Sequence, residues 1–315
     1  LFHMKAITVL NPGREAELAL GDVPDPSLGP TDVLIRVTYT SVNRADLLQA
    51  RGLYPPPEGA SPILGLECSG IIDSVGEQAQ ILNPNLRPGL RVMALLSGGG
   101  YAQKVAADVR CILASPSRMT NTQAAAFLET YLTAYLNIFL LGEIRGGQRV
   151  LIHGGSGGVG TAAINLCKVA GVETIVTAGS YEKCEQCEER GAALAINYKA
   201  DDFAAKVAEF TEGKGVDLVL DCIGGSYFEQ NLDCLATEGR LVVIGLMGGA
   251  KAQLNLAQLL MKRIQIIGST LRSLPVERKA AIIELFQAQF GRELASGELK
   301  PVIHKIVELQ NAQDA

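Results

Sequence analysis

Three glycines spaced three apart, Gly154, Gly157 and Gly160, lie within Val150-Leu151-Ile152-His153-Gly154-Gly155-Ser156-Gly157-Gly158-Val159-Gly160. Val150–Ile152 reads as a buried strand. Thr161–Ala170 reads as a helix with Ala162, Ala163, Leu166, Val169 and Ala170 on one face. In that setting glycine permits the tight turn, backbone N–H groups approach a pyrophosphate, and the positive end of the helix dipole faces the phosphates. Gly154, Gly157, Gly158, Val159 and Gly160 are therefore candidate ligands of a dinucleotide. Glycine is 34 of 315 residues, so a triplet alone also fits an ordinary turn. The strand before it and the small-residue helix after it favour the nucleotide.

A site that prefers NAD usually presents an acid roughly 20 residues further on, at the tip of the second strand. Here that tip reads Thr177-Ala178-Gly179-Ser180-Tyr181-Glu182-Lys183, with no acid at its end. The Ser180 hydroxyl, the Lys183 cation and the Tyr198 phenol beyond the third strand suit a 2′-phosphate, which points to NADPH. Ser180 equally suits a helix cap, and the two roles are compatible. The nicotinamide is expected beyond the fourth and fifth strands, which end Asp221-Cys222-Ile223-Gly224-Gly225 and Val243-Ile244-Gly245-Leu246-Met247-Gly248-Gly249. Cys222, Gly245 and Met247 lie either in ordinary strand-to-helix turns or in a backbone cradle for a carboxamide.

The elements that must position these residues change texture along the chain. Up to about Arg110, strands at Ala6–Leu10, Val33–Ser41, Gly70–Val75, Arg91–Ala94 and Tyr101–Val105 alternate with Pro/Gly turns, giving a mostly β domain. From about Asn121 helices and strands alternate. Helix Gln123–Leu141 precedes strand Val150–Ile152. Strands Thr174–Thr177, Ala195–Asn197, Leu218–Asp221, Arg240–Gly245 and Ile264–Ser269 follow, with helices Glu182–Arg190, Asp202–Thr211 and Tyr227–Leu235 among them. Such alternation implies α/β architecture, a doubly wound parallel Rossmann sheet. Helix Glu277–Gly291 and strand Val302–Ile306 return to the first domain. The expected division is 1–122 completed by 270–315, with 123–269 as the inserted Rossmann domain.

Composition narrows the function classes. Net charge is −5 without a basic block, which argues against nucleic acid or an anionic membrane surface as main partner. No apolar run approaches the roughly 20 residues that cross a bilayer. Leu1–His3 before Met4 reads as a non-native leader, and no signal peptide is evident. Seven scattered cysteines read as reduced thiols of a cytoplasmic protein. Cys184-Glu185-Gln186-Cys187 has a redox or zinc spacing, but it lies in an acidic helix without a second ligand pair and reads as incidental.

Ser41-Val42-Asn43-Arg44-Ala45-Asp46-Leu47-Leu48, Gly65-Leu66-Glu67-Cys68-Ser69-Gly70, the stretch from Met93 to Gln103, Leu132-Thr133-Ala134-Tyr135, Asp221–Tyr227 and Gly245–Gly249 together resemble the zinc-free quinone oxidoreductases of the medium-chain dehydrogenase/reductase superfamily. The likeness is to its zeta-crystallin-like group, and within it to the tumour-suppressor-induced branch. The resemblance implies a GroES-like catalytic domain, NADPH between the domains, and a homodimer formed through the strand at 264–269. An Ile-Gln-Ile-Ile edge suits such pairing. Zinc enzymes of the superfamily carry Cys near position 43 and His at 66. This chain has Asn43 and Leu66 there and lacks the four-cysteine lobe, so no metal is expected. Members also end in a closing strand of the first domain, whereas this chain stops at Gln313-Asp314-Ala315. A further native segment is therefore expected beyond it.

By the same resemblance Asn43 approaches the nicotinamide, Tyr54 lines the acceptor site, and Thr133 contacts the ring or ribose. Either Asn43 or Tyr54 would hydrogen-bond the oxygen of a small quinone as charge develops on it. From the residues alone, Asn43 also reads as a helix cap and Tyr54 as a loop aromatic. Arg272 is open to two readings, a phosphate ligand or a solvated cation. No His, Asp or Glu stands out as proton donor, and one- and two-electron transfer both remain open. The reading is thus an NADPH-dependent quinone reductase. Reduction of activated C=C bonds is the enzymatic alternative, and an NADPH-binding structural or sensor protein is the non-catalytic one.

Overall fold

The computed structural model describes residues 3–315, which fall into two compact units. The leader reading of Leu1 and Phe2 lies outside the described residues. One unit runs up to Glu129 and includes Arg272–Ala315; the other is Thr130–Leu271. The first boundary falls later than the expected 122/123 because the helical stretch begins inside the first unit. There Ser69 Oγ donates to the Asn121 carbonyl at 2.6 Å, and Arg91 Nε donates to Asn121 Oδ1 at 2.9 Å.

The first unit pairs β1 (His3–Val9) antiparallel with β2 (Leu18–Pro24). Next come β3 (Asp32–Thr40), α1 (Arg44–Ala50), β4 (Glu67–Val75), α2 (Glu77–Leu82), β5 (Arg91–Leu95), β6 (Lys104–Asp108), β7 (Ile112–Ala114) and α3 (Asn121–Ala125). Strands β6-β3-β4-β5-β7 form an antiparallel sheet in that order. Alternation along β3 turns Val33 and Ile35 inward onto Cys68, Ile72, Val92, Ala94 and Val105. Gly70 holds its place on β4 because a β-carbon there would stand 2.2 Å from the Arg36 carbonyl oxygen.

The second unit opens within α4 (Leu128–Tyr135) and continues through β8 (Arg149–Ile152), α5 (Gly158–Ala170), β9 (Glu173–Ala178), α6 (Tyr181–Arg190), β10 (Leu194–Asn197) and α7 (Phe203–Phe210). Strand β11 (Val216–Asp221), α8 (Phe228–Cys234), β12 (Leu235–Val243), α9 (Leu256–Lys262) and β13 (Gln265–Gly268) complete it. Its sheet is parallel throughout, ordered β10-β9-β8-β11-β12-β13. Strand order reverses between β8 and β11, the point at which doubly wound sheets bind ligands at their carboxyl ends. Leu151, Ile175, Ile196, Val216, Val219 and Leu241 form the buried core with Phe203 and Val207.

Four expectations need correction. The helix expected over 123–141 is broken: α3 ends at Ala125, α4 starts at Leu128, and 136–141 winds as a π-helix. Its apolar sequence reads as continuous helix, and periodicity alone does not show the break at Ala126–Phe127. Strand β2 and helix α9 are absent from the sequence-based expectation, because neither carries a clean alternation or a long apolar face. Val302–Ile306 alternates like a strand yet pairs with no neighbour among the described residues, and both ends are exposed. Alternation specifies a face, whereas a strand also needs an edge to bond. The return to the first unit is made by α10 (Val276–Ser296), which buries Ile282, Ile283, Phe286, Phe290 and Leu294. No helix among the described residues is long and apolar enough to cross a membrane.

Candidate active site

In the second unit the glycine run links β8 to α5. Gly154 adopts φ +72°, a left-handed conformation that favours glycine. A β-carbon on Gly160 would lie 2.2 Å from the Gly154 oxygen and 2.6 Å from the Gly155 Cα, so only glycine lets the first helical turn close on the loop. Gly157 is the N-cap and makes no side-chain cap. Gly157 and Gly158 are exposed and Val159 half-buried, so the first N–H groups of a thirteen-residue helix face outward without intrahelical partners. This is a cradle shaped for an anion, and a dinucleotide pyrophosphate fits it.

Sequence reasoning assigned no role to His153, which anchors the cradle. Its ring is buried, with Nδ1 3.0 Å from Thr177 Oγ1 and Nε2 2.6 Å from Asn231 Oδ1. Thr177 Oγ1 in turn accepts from the Gly154 N–H at 3.3 Å. Burial pushes the imidazole down to about 4, so it is neutral and ties the loop to β9 and α8. The signal available in the sequence was a polar residue wedged between a buried strand and the glycine turn.

At the tip of β9, Ser180 caps α6 by accepting from the Lys183 N–H at 3.2 Å. The Lys183 side chain is exposed. A β-carbon on Gly179 would stand 3.1 Å from the Tyr198 hydroxyl and 3.6 Å from Lys199 Cε. Tyr198 therefore lies over the strand tip beside Ser180, and Lys199 joins it. Lys199 was missed because the loop after β10 gives no spacing that marks it.

The turns after β11 and β12 are tied together. Ile244 N–H donates to the Asp221 carbonyl at 2.8 Å, Met247 N–H to the Cys222 carbonyl at 3.3 Å, and Gly248 N–H to the Ile223 carbonyl at 2.6 Å. A Gly245 β-carbon would meet the Cys222 oxygen at 2.8 Å. The Met247 N–H and Cys222 carbonyl, offered by the sequence as a carboxamide cradle, thus bond each other. Thr133, on α4, is half-buried, and its carbonyl accepts from Asn137 Nδ2 at 2.8 Å.

The first unit gathers the other candidates around Glu67, which is buried on β4. Its Oε1 accepts from Ser41 Oγ at 2.5 Å and Asn43 Nδ2 at 3.0 Å, and its Oε2 accepts from the Glu129 N–H at 3.0 Å. Asn43 Nδ2 also donates to Ser41 Oγ at 3.2 Å. Ser41 Oγ and Glu67 Oε1 stand only 2.5 Å apart, so both acceptors lie on one side of Nδ2 and share one amide hydrogen, which leaves the second for an acceptor oxygen. Asn43 does occupy the N-cap of α1, where its N–H donates to Asp46 Oδ2 at 2.9 Å. Asp46, itself buried, further accepts from the Gly65 N–H at 2.9 Å and the Tyr101 hydroxyl at 3.2 Å.

Arg272 corrects one of its two sequence readings, that of a solvated cation. It lies in the first unit, only 3% exposed. Its Nε donates to the Ser97 carbonyl at 3.0 Å and its Nη2 to Gln49 Oε1 at 2.6 Å. Its guanidinium stands 5.3 Å from the centre of the half-buried Tyr54 ring. It is therefore not solvated, and its partners all lie in the first unit, which the chain re-enters directly after Leu271. Burial raises the Tyr54 phenol, and the Arg272 charge opposes that rise.

A zinc ion does not fit positions 43 and 66. Asn43 is bound into the Glu67 network, and Leu66 is a core side chain with no donor atom. Cys184 and Cys187 are buried free thiols, and among the described residues no group of three or more His, Cys, Asp or Glu is arranged to hold a metal.

Burial pushes the Glu67 carboxyl up to about 7, against the hydrogen bonds of Asn43, Ser41 and the Glu129 N–H, which favour its charged form. The folded state therefore binds this proton more tightly than the unfolded chain. Its stabilising contribution is complete below about 4.5 and is lost as pH rises through about 7. Glu67→Ala leaves three donors without their acceptor and is expected to destabilise by about 2–4 kcal/mol. Denaturant midpoints should show a larger loss at pH 5 than at pH 8; an equal loss at both would contradict the assigned titration.

Comparison with known proteins gives the same architecture. The family described as alcohol dehydrogenase GroES-like domain matches residues 29–122, and that described as zinc-binding dehydrogenase matches residues 158–288. The human synaptic vesicle membrane protein VAT-1 homolog is 31% identical over 311 residues, covering 92% of this chain and 76% of that protein. Longer relatives are matched over a part only. The chain spans about 11% of the Mycobacterium tuberculosis phthioceranic/hydroxyphthioceranic acid synthase, at 33% identity over 76% of this chain. Among solved structures, Escherichia coli quinone oxidoreductase complexed with NADPH superposes with TM-score 0.82 at 26% identity, over 99% of this chain and 94% of that one. The CurK enoyl reductase superposes with TM-score 0.84 at 29% identity, over 98% and 94%. A GroES-like unit, a six-stranded parallel sheet with a glycine cradle at its switch point, and likeness to these proteins over most of this chain lead to one assignment: the chain belongs to the medium-chain dehydrogenase/reductase superfamily.

Proposed function

We propose that the protein is a zinc-independent, NADPH-dependent reductase of small quinones, of the zeta-crystallin-like group and its tumour-suppressor-induced branch. One observation carries the reading. Around the buried Glu67 network, Asn43 and the half-buried Tyr54 are the neutral side-chain donors offered to an acceptor, and Leu66 offers no metal ligand. Neutral donors without a Lewis acid suit an acceptor that needs little polarisation, and a quinone gains aromaticity on reduction. The likeness to an NADPH-bound quinone oxidoreductase supports it.

NADPH supplies the hydride when bound. Gly157, Gly158, Val159 and Gly160 would hold its pyrophosphate, with Ser180, Lys183, Tyr198 and Lys199 at the 2′-phosphate. Thr133 and the tied turns at Cys222 and Gly245 would hold its nicotinamide end. Arg272, packed against the Tyr54 ring, keeps the phenol in place by cation–π attraction. Tyr54→Phe removes the donor and keeps the ring. It is expected to lower kcat with 1,2-naphthoquinone by about 10–100-fold with little change in NADPH affinity; unchanged kcat would remove Tyr54 from the chemistry.

The likeness to an enoyl reductase favours reduction of activated C=C bonds as a second reading. NADPH oxidation with 1,2-naphthoquinone against a 2-alkenal separates the two. Faster turnover of the quinone supports the proposal, and turnover of the alkenal alone replaces it. Tight NADPH binding without turnover of either would leave a structural or sensor protein. The edge strand β13, with Ile266 39% exposed, supports a homodimer, and native mass spectrometry should give twice the chain mass. Free cysteines support a cytoplasmic setting.

A further inference from the structure

We propose that Thr177 and His153 are a positioning pair for the dinucleotide, a hydroxyl held by an imidazole that fixes the turn at Gly154 and, through it, the N–H groups at the head of α5. The inference rests on the reading of the glycine run as a dinucleotide cradle. Both residues are buried, at 1% and 4% exposure, so they act through the loop and not by contact with a ligand.

Thr177, near the carboxyl end of β9, clamps Gly154 from both sides. Its Oγ1 accepts from the Gly154 N–H at 3.3 Å, and its carbonyl accepts from the Gly155 N–H at 2.8 Å. The two peptide planes that flank Gly154 are thereby fixed, and with them its left-handed φ of +72°. The Gly154 carbonyl in turn accepts from the Gly157 N–H at 3.0 Å, which closes the loop on the N-cap of α5. The orientation of the outward N–H groups thus depends on a side chain one strand away.

The imidazole decides which way that hydroxyl points. A threonine has one hydroxyl hydrogen, and among the described residues His153 Nδ1, at 3.0 Å, is the acceptor placed to take it. With Nδ1 accepting, the neutral ring carries its hydrogen on Nε2, and that hydrogen goes to Asn231 Oδ1 at 2.6 Å, an oxygen that only accepts. The chain therefore runs in one direction, from Gly154 N–H to Thr177, from Thr177 O–H to His153, and from His153 Nε2–H to Asn231. The opposite tautomer would bury the Thr177 hydroxyl hydrogen without an acceptor, at the cost of its desolvation. Phe203 and Tyr227 stand edge-on to the imidazole, with centroids 4.8 and 4.9 Å away, and shield it from water. Without the imidazole the hydroxyl would no longer be obliged to keep a lone pair on the Gly154 N–H.

The test uses the full chain. Thr177→Val keeps the branched shape and the main-chain bond and removes the hydroxyl alone. Fluorescence titration should show NADPH and NADH binding weakened by the same factor, about 10-fold, because the pyrophosphate is common to both. Thr177→Ser restores the hydroxyl without the methyl and should bind both within about 3-fold of the parent, which assigns the loss to the hydroxyl and not to packing. His153→Phe should match Thr177→Val, and the double variant should bind no more weakly than either single one, since the two side chains act by one chain. Nitrogen-15 NMR of the parent without cofactor, at neutral pH, should show the His153 ring protonated at Nε2 alone. A ring protonated at Nδ1, parental affinity in Thr177→Val, losses that multiply in the double variant, or a loss confined to NADPH would each overturn this proposal and leave the cradle standing. A parent chain that binds neither dinucleotide would overturn the cradle, and this proposal with it.

Discussion

Gly160→Ala is expected to abolish measurable NADPH binding and to lower the thermal midpoint. The new methyl would stand 2.2 Å from the Gly154 carbonyl oxygen and 2.6 Å from the Gly155 Cα, both backbone atoms that no side-chain rotation can clear. Either α5 moves off the loop or the loop opens. The loop cannot yield easily, because Gly154 is held by Thr177 and thence by the buried His153 and Asn231. Forced overpacking of this kind costs about 1–3 kcal/mol, or roughly 4–10 °C in a unit of this size. Displacing the first turn of α5 also takes its outward N–H groups away from the phosphates. Fluorescence titration should show affinity weakened at least about 100-fold, with scanning calorimetry reading the midpoint. Near-parental affinity would mean that the glycine run is only a turn.

Lys183→Ala is expected to cut the preference for NADPH over NADH by about 10–100-fold, the worth of one charge-assisted contact to a 2′-phosphate. NADH binding should be unchanged, because the Ser180 cap depends on the backbone N–H of residue 183 and survives the substitution. Lys199 lies beside the same strand tip, so Lys199→Ala should give a smaller loss and the double variant a larger one. An unchanged preference in Lys183→Ala would remove that lysine from the site. A full loss in Lys199→Ala alone would transfer the role to it.

The cofactor half of the site was more legible in the sequence than the acceptor half. The run from Gly154 to Gly160 carries its function in backbone conformation, which glycine spacing reports directly. The parallel sheet was legible for a similar reason, since apolar strands such as Val150–Ile152 and Leu218–Asp221 alternate with amphipathic helices at the expected spacing. The acceptor cluster is different in kind. Glu67, Glu129, Asp46 and Arg272 come from β4, α4, α1 and the segment after Leu271, and no local pattern announces that their charges share one buried region. Arg272 was open to a phosphate-ligand and a solvated reading alike, because a lone arginine carries no mark of burial. Lys199 and His153 escaped for the same reason: their roles depend on which strand tips are neighbours, and only strand order fixes that. Val302–Ile306 shows the converse error, a local alternation with no edge to pair with.

The most direct test of the central claim is steady-state NADPH oxidation by 1,2-naphthoquinone, measured before and after exhaustive chelation with a zinc-selective chelator. Quinone-dependent turnover that is undiminished by chelation, and faster with NADPH than with NADH, is the predicted result. Turnover that disappears on chelation and returns with added zinc would contradict it, because neither Asn43 nor Leu66 gives that metal a ligand.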